Sequence, residues 1–228
     1  LLKAGWQANS NGLLGLSQRA GTVTYYCEAM PDTDSAMVTS MYATPGDVDL
    51  ILAQEMLELG RMISAGYAAQ GASIVGNSAR YLTTLEKLPA ENGTYDSTII
   101  KNAIEQLAPD SHYVFDAQKQ VINAGLSPLS SNAMLLGAAV ASPTFGLPPE
   151  PFVESIKESG SGSEDNVKAF MLGYEGVQKG TLARMELQGE EERKVDELVE
   201  AHIDSLEKQS DKEKYRELVA ATMDLLPH

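Results

Sequence analysis

Val48-Asp49-Leu50-Ile51-Leu52-Ala53 is a short apolar run interrupted only by Asp49 and followed by Gln54-Glu55. Runs of this length mark a strand covered on both faces, and such strands belong to parallel sheets with helices above and below. The flanking chain agrees. Met56, Leu59, Ile63 and Tyr67 recur at helical spacing within Glu55–Ala69, and Gly71 is placed to cap that helix. Ala72-Ser73-Ile74-Val75 reads as a second buried strand, closed by Gly76-Asn77-Ser78. Ser97 to Leu107 is helical with Ser97 as its N-cap, and His112–Asp116 is a third strand. Ala117 to Ala124 is a short helix ended by Gly125, and Asn132–Ala141 is a buried helix of small apolar residues stopped by Pro143. Strand and helix alternate over short connections. This predicts an α/β fold, a Rossmann-like mixed or parallel sheet flanked by helices.

Toward the C-terminus, Pro148-Pro149 introduces a helix over Glu150–Glu158. Ser159-Gly160-Ser161-Gly162 reads as a flexible linker, and Ser163 caps a helix running to Gln178. The composition then shifts. Residues 181–228 hold thirteen Asp and Glu against seven Lys and Arg, and their apolar spacing gives two helical segments hinged near Gln209-Ser210. The expected organisation is a domain over 1–180 and an acidic C-terminal helical appendix over 181–228. Toward the N-terminus, residues 1–21 are rich in Gly, Asn and Ser and read as loop. Thr22–Glu28 reads as a strand with Val23, Tyr25 and Cys27 on one face. Ala36–Tyr42 reads as its hairpin partner. Leu1-Leu2-Lys3-Ala4-Gly5 resembles the end of a helix begun earlier, so upstream residues are expected.

Composition limits the function classes. The 228 residues carry 32 Asp and Glu against 17 Lys and Arg, a formal net charge of −15. Such a chain repels nucleic-acid backbone and anionic lipid. A single cysteine, Cys27, forms no internal disulfide and no four-thiolate cluster, and its place on a strand face predicts a buried, inert thiol. His112, His202 and His228 are far apart in sequence, which disfavours a histidine metal centre, and His112 reads as structural. No stretch is long and apolar enough to span a membrane and no export signal opens the chain, so the cytoplasm is the expected compartment.

No phosphate-binding glycine loop of either common pattern occurs. Position relative to the sheet therefore selects the candidates. Ser17-Gln18-Arg19 lies between glycine-containing turns directly before a strand, and Arg19 offers a rigid cationic fork suited to carboxylate or phosphate. Glu55 follows the first buried strand at its carboxyl end, the ligand edge of an open sheet, where a carboxylate would equally cap the next helix. Asn77 and Ser78 close the next strand at the same edge, with a plain turn as the alternative. The residues alone describe an acidic α/β domain with a ligand edge and no self-sufficient catalytic apparatus.

Five stretches in order resemble one family. Leu16-Ser17-Gln18-Arg19-Ala20-Gly21-Thr22-Val23 is similar to its Ser-Gln-Arg-Gly-Gly loop before a strand, with Ala20 in place of the first glycine. Gly46 to Glu55 resembles its Ala-Asp-apolar strand ending in Glu, and Leu57-Glu58-Leu59-Gly60-Arg61 its Leu-Glu-Ala-x-Arg helix. Asn132 to Ala138 resembles its Asn-x-x-Met-Leu-Gly-Ala helix, and Asn166 to Phe170 its Asn-x-x-Ala-Phe segment. The family is the gamma-type subunit or domain of 2-oxoacid:ferredoxin oxidoreductases, and the indolepyruvate branch is the most similar. Two features depart from it. The family opens with a strand and a Gly-x-Gly-Gly-Gln-Gly turn that this sequence does not contain, and residues 181–228 match no part of it.

The resemblance implies oxidative decarboxylation of a 2-oxoacid to an acyl-CoA, with electrons passing to ferredoxin. Thiamine diphosphate and iron–sulfur clusters would sit in companion subunits, with CoA as cosubstrate and none of these groups held by this chain alone. The chain would cover the partner's thiamine site and help bind CoA. Ser17, Gln18, Arg19 and Gly21 would face that region, and Glu55 and Asn77 would shape the same edge. A stand-alone nucleotide- or CoA-binding regulatory protein and a purely structural scaffold subunit are the competing readings.

Overall fold

Leu50, Ile51, Leu52 and Ala53 do lie in a strand of a parallel sheet. The computed structural model describes residues 1–14, 23–33, 36–79, 97–108, 110–160 and 162–182. Strand β3 (Val48–Ala53) is followed by helix α1 (Met56–Ser64), strand β4 (Ala68–Asn77), helix α2 (Ser97–Leu107) and strand β5 (His112–Phe115). The three strands pair in parallel in the order β3-β4-β5, with Ile51 opposite Ile74 and Val75 opposite Tyr113. Helices α3 (Ala117–Asn123), α4 (Ser131–Ala141), α5 (Glu150–Glu158) and α6 (Ser163–Gln178) complete the α/β arrangement. Ahead of the sheet stands a separate antiparallel hairpin of β1 (Trp6–Leu14) and β2 (Val23–Pro31). The chain divides into a unit of residues 1–80 and 99–185, which holds nearly all of these elements, and a second unit of 81–98 and 186–228. The expected appendix over 181–228 lies outside the described residues from 183 onward.

The sheet carries a core on each face. On one, Ile51, Ala53, Ile74 and Val114 pack with Leu59 of α1 and with Ile100 and Ile104 of α2. On the other, Val75 and Phe115 pack with Val121 of α3, with Met134, Leu135 and Ala138 of α4, and with Ala169 of α6. Ile74 and Val75 are both fully buried on opposite faces of β4, which is why that strand reads as a continuous apolar run. Leu52 departs from the pattern: it lies in the outer strand β3 and stays substantially exposed. Helix α4 is buried nearly all round, and it crosses α6 where Gly137 and Gly173 let the two backbones touch. Beyond the end of α4, the Thr144 hydroxyl donates to Asp49 O (3.0 Å) and accepts from the buried Ser73 hydroxyl (2.7 Å), which ties that end to β3 and β4.

Three expectations are corrected. Helix α1 ends at Ser64 and does not continue to residue 69, because Gly66 turns the backbone at φ 73° and the chain re-enters the sheet at Ala68. Gly71 is no helix cap. It sits at φ 81° in β4, where pairing jumps from Val48↔Ala68 to Leu50↔Ser73 and the extra residues bulge. The hairpin partner of β2 is β1, from a stretch read as loop, while residues 36–42 form no strand.

The physical reason lies in the amides of β1. Gln7, Asn9 and Asn11 alternate along the strand and so share one face. Gln7 Oε1 accepts from Met37 N (3.0 Å), Asn9 Nδ2 donates to Thr39 Oγ1 (3.0 Å) and Asn11 Nδ2 donates to Ser40 O (3.0 Å). Glu28 on β2 accepts from Ser40 N (2.7 Å). Residues 36–40 are thus a strap held by side chains across one face of the hairpin. Turn-favouring residues serve here as rungs, and their composition hides a strand.

Candidate functional site

The carboxyl ends of β3 and β4 and the loop after β5 converge on a small set of polar groups. Glu55 follows β3 in extended conformation, and its Oε2 accepts from Leu57 N (2.8 Å) and Glu58 N (3.1 Å). It is the N-cap of α1, an arrangement that contributes on the order of 1 kcal/mol because it satisfies two free amides and places negative charge at the positive helix end. Those two bonds commit one carboxylate oxygen to the helix.

Asn77 ends β4 and is only 6% exposed. Its Oδ1 accepts from Ala79 N and from Ala117 N, both at 3.2 Å, so one carboxamide joins the loop after β4 to the first residue of α3. Ser78 N donates to Phe115 O (2.9 Å) and Met56 N donates to Ala79 O (3.4 Å), which stitches the three strand ends together. Asp116 caps α3 by accepting from Lys119 N (2.8 Å). With its Oδ1 doubly occupied, Asn77 presents its Nδ2 as a donor that has no acceptor among the described residues.

The edge therefore brings Glu55, Asn77, Ser78 and Asp116 together, as position in the sequence suggested for Glu55, Asn77 and Ser78. The set contains no cation. Ser17, Gln18, Arg19 and Gly21 lie outside the described residues, in the 15–22 connection between β1 and β2. His112 is structural, with its Nδ1 2.7 Å from Ala108 O. Cys27 corrects a further expectation. It is exposed on β2 and not buried, although partial desolvation by the surrounding strand pushes its thiol above its ordinary pKa. Sequence reasoning did not single out Asp116 or Ser127. Each caps a short helical turn, and the Asp before Ala117 and the Ser before Pro128 were the available signals.

The described residues bear on the groups that the sequence resemblance implies. Among them no cluster of three or more His, Cys, Asp or Glu side chains is arranged to hold a metal ion. With one cysteine in the whole sequence, the chain does not fit an iron–sulfur ligand set. No helix among the described residues is long and apolar enough to cross a membrane.

Residues 1–176 match the family described as pyruvate ferredoxin/flavodoxin oxidoreductase. The chain belongs to that family. The indolepyruvate oxidoreductase subunit IorB of Pyrococcus horikoshii is 32% identical over 181 residues, covering 78% of this chain and 85% of that protein. The corresponding IorB subunit of Thermococcus kodakarensis is 29% identical over the same shares of both chains. Among solved structures, the gamma subunit of a keto/oxoacid ferredoxin oxidoreductase from Geobacter sulfurreducens is similar, with a TM-score of 0.49 and 16% identity over 78% of this chain and 84% of that one.

Proposed function

We propose that this chain is the gamma-type subunit of a 2-oxoacid:ferredoxin oxidoreductase that converts indolepyruvate or a related aryl pyruvate to its acyl-CoA. The observation that carries the reading is the similarity to the two IorB subunits along most of both chains, joined to the family match over residues 1–176. Thiamine diphosphate and iron–sulfur clusters supply the decarboxylation and electron transfer from companion subunits. The donor set here is consistent with that division, since one thiol cannot ligate a cluster. The chain is inactive alone.

This chain's part is binding and cover. Gln18 and Arg19 face the partner's thiamine region or the CoA phosphates, with Ser17 and Gly21 forming the loop. Arg19 is the suitable anion ligand because the described edge offers only carboxylates, a carboxamide and a hydroxyl, and carboxylates repel phosphate. Glu55 and Asn77 hold the strand ends in shape.

The test uses the complex purified without oxygen. In the assembled enzyme Arg19→Ala raises the KM for CoA or for the oxoacid by about tenfold or more, as expected for the loss of a charge-assisted bond. Unchanged kinetics remove Arg19 from the site. Failure of every 2-oxoacid supplied with CoA to support ferredoxin reduction by the complex overturns the reading.

A further inference from the structure

The two faces of the β1–β2 hairpin are unequal. Antiparallel register sets Gly12 opposite Tyr25 and Ser10 opposite Cys27, so these four side-chain positions share a face with Val23. The opposite face carries Gln7, Asn9, Asn11 and Glu28 and is closed by the strap of residues 36–40. The first face is open. Tyr25 is 70% exposed and Val23 52% exposed, and Ser10, Gly12 and Cys27 are exposed beside them. Gly12 lies directly beneath the Tyr25 ring, where a Cβ would come within 3.0 Å of Cε1. The ring is seated on bare backbone, and the result is a flat apolar platform.

We propose that this open face is the surface by which the chain docks on an uncharged, apolar face of a companion subunit. Charge selects the occupant. From Ala4 through Cys27 the sequence holds one charged residue, Arg19, in a chain of net charge −15. The cores of protein interfaces are depleted of charge and enriched in tyrosine, because an unpaired charge buried there costs several kcal/mol. A second copy of this chain would bring another −15 and repel at long range, so the face is suited to a less acidic partner. The platform also ends, at Leu14 and Val23, where the 15–22 connection with Ser17, Gln18 and Arg19 begins and ends. The inference rests on the reading of the chain as a subunit, and it adds which surface does the docking.

Cys27 is the sole thiol of the chain and lies within the platform, so it reports the contact directly. The isolated full-length chain and the anaerobically purified complex are treated with a maleimide at pH 8, and labelling of Cys27 is followed by mass spectrometry. The expected result is steady labelling of the isolated chain and slowing by about tenfold or more in the complex, with reactivity restored when the complex is dissociated. Equal labelling in both states overturns the docking face and leaves the subunit reading intact. Recovery of the chain without any companion overturns the subunit reading and the proposal with it. Protection of Cys27 in the isolated chain, with a dimer mass that grows with concentration, gives the face to a second copy and overturns the proposal. Tyr25→Glu provides a measurement independent of the thiol. The variant keeps its circular dichroism and loses the companion in native mass spectrometry, whereas Ile122→Glu, at an exposed apolar position on α3, keeps it.

Discussion

Substituting Gly137 by alanine tests the packing that holds the second half of the sheet's cover in place. A Cβ at Gly137 of α4 would stand 2.8 Å from the Phe170 carbonyl carbon and 2.9 Å from Tyr174 N, with the Phe170 carbonyl oxygen nearer still. A Cβ at Gly173 of α6 would meet Met134 and Ala138 backbone in the same way, at 2.9 and 3.1 Å. Every obstacle is helix backbone, so relief requires α4 and α6 to part. Ordinary contact between such atoms begins near 3.4 Å, and the nearer carbonyl oxygens set the requirement, so the parting is on the order of 1 Å or more, enough to forfeit about half of each dispersion well along the seam. Overpacking of this kind costs about 1–3 kcal/mol or more, against which alanine returns about 1 kcal/mol of helix propensity. Met134, Ala138, Ala169 and Phe170 are all fully buried along the seam, which places the cost at the upper end and the net loss at about 2–3 kcal/mol. Gly60→Ala is the matched control. There the new Cβ meets only side-chain atoms of Ile100, at 2.7 Å from Cδ1 and 2.8 Å from Cγ1, and a side chain gives way at less cost than the backbone of a packed helix. The net change at Gly60 is within about 1 kcal/mol of zero. Urea unfolding followed by circular dichroism separates the two: at an m-value of about 2–3 kcal/mol/M, Gly137→Ala lowers the midpoint by about 1 M and Gly60→Ala hardly moves it. A Gly137→Ala midpoint within 0.2 M of the parent refutes the account of this helix crossing.

Two further perturbations address the hairpin and the sheet edge. Asn77→Ala leaves Ala79 N and Ala117 N without their shared acceptor in a buried position and lowers stability by about 1–3 kcal/mol in the same assay; an unaltered midpoint shows that the carboxamide is not the staple that its bonds suggest. Tyr26, partly desolvated and donating to Glu28 at 2.8 Å, has its phenol pushed up to about 12. Because the folded value lies above the ordinary one near 10, the stabilisation is complete below pH 10 and is lost as pH rises toward 12. The difference in absorbance at 295 nm between the parent and Tyr26→Phe should therefore titrate near pH 12, and titration near 10 would contradict the Tyr26–Glu28 contact.

The sheet was legible in the sequence because burial on both faces leaves little freedom of composition. Ile74 and Val75 must both be apolar, and α4 must be small and apolar wherever it meets the sheet and α6. Helix ends were less so. Gly66 and Gly71 have equal claim to end α1 by identity, and only the strand pairing of Val48 with Ala68 decides between them. The hairpin was half legible. β2 announces itself through β-branched and aromatic residues, whereas β1 is rich in Asn, Gln, Ser and Gly, and its Gln7, Asn9 and Asn11 bond to a strap distant in sequence. Propensity scales record how such residues behave when they bond locally, and here they bond at long range.

The same contrast governs the candidate site. Glu55 was open to two readings because a carboxylate after a parallel strand suits a ligand and a helix N-terminus equally. The structure gives one of its oxygens to α1, and Asn77 gives its carbonyl oxygen to two backbone amides. Both residues thereby act first as the frame of the edge. A frame of this kind, with one Glu55 oxygen and the Asn77 carbonyl oxygen committed to backbone amides and one carboxamide donor left over, fixes the strand ends and, among the described residues, supplies no positive charge for an anionic substrate. On the proposed reading, the binding chemistry comes from Arg19, in the connection between β1 and β2, or from a companion subunit seated on the uncharged face of the hairpin. Both routes run through the hairpin, so an Arg19 effect on KM without protection of Cys27, or protection without a KM effect, would separate contact from chemistry.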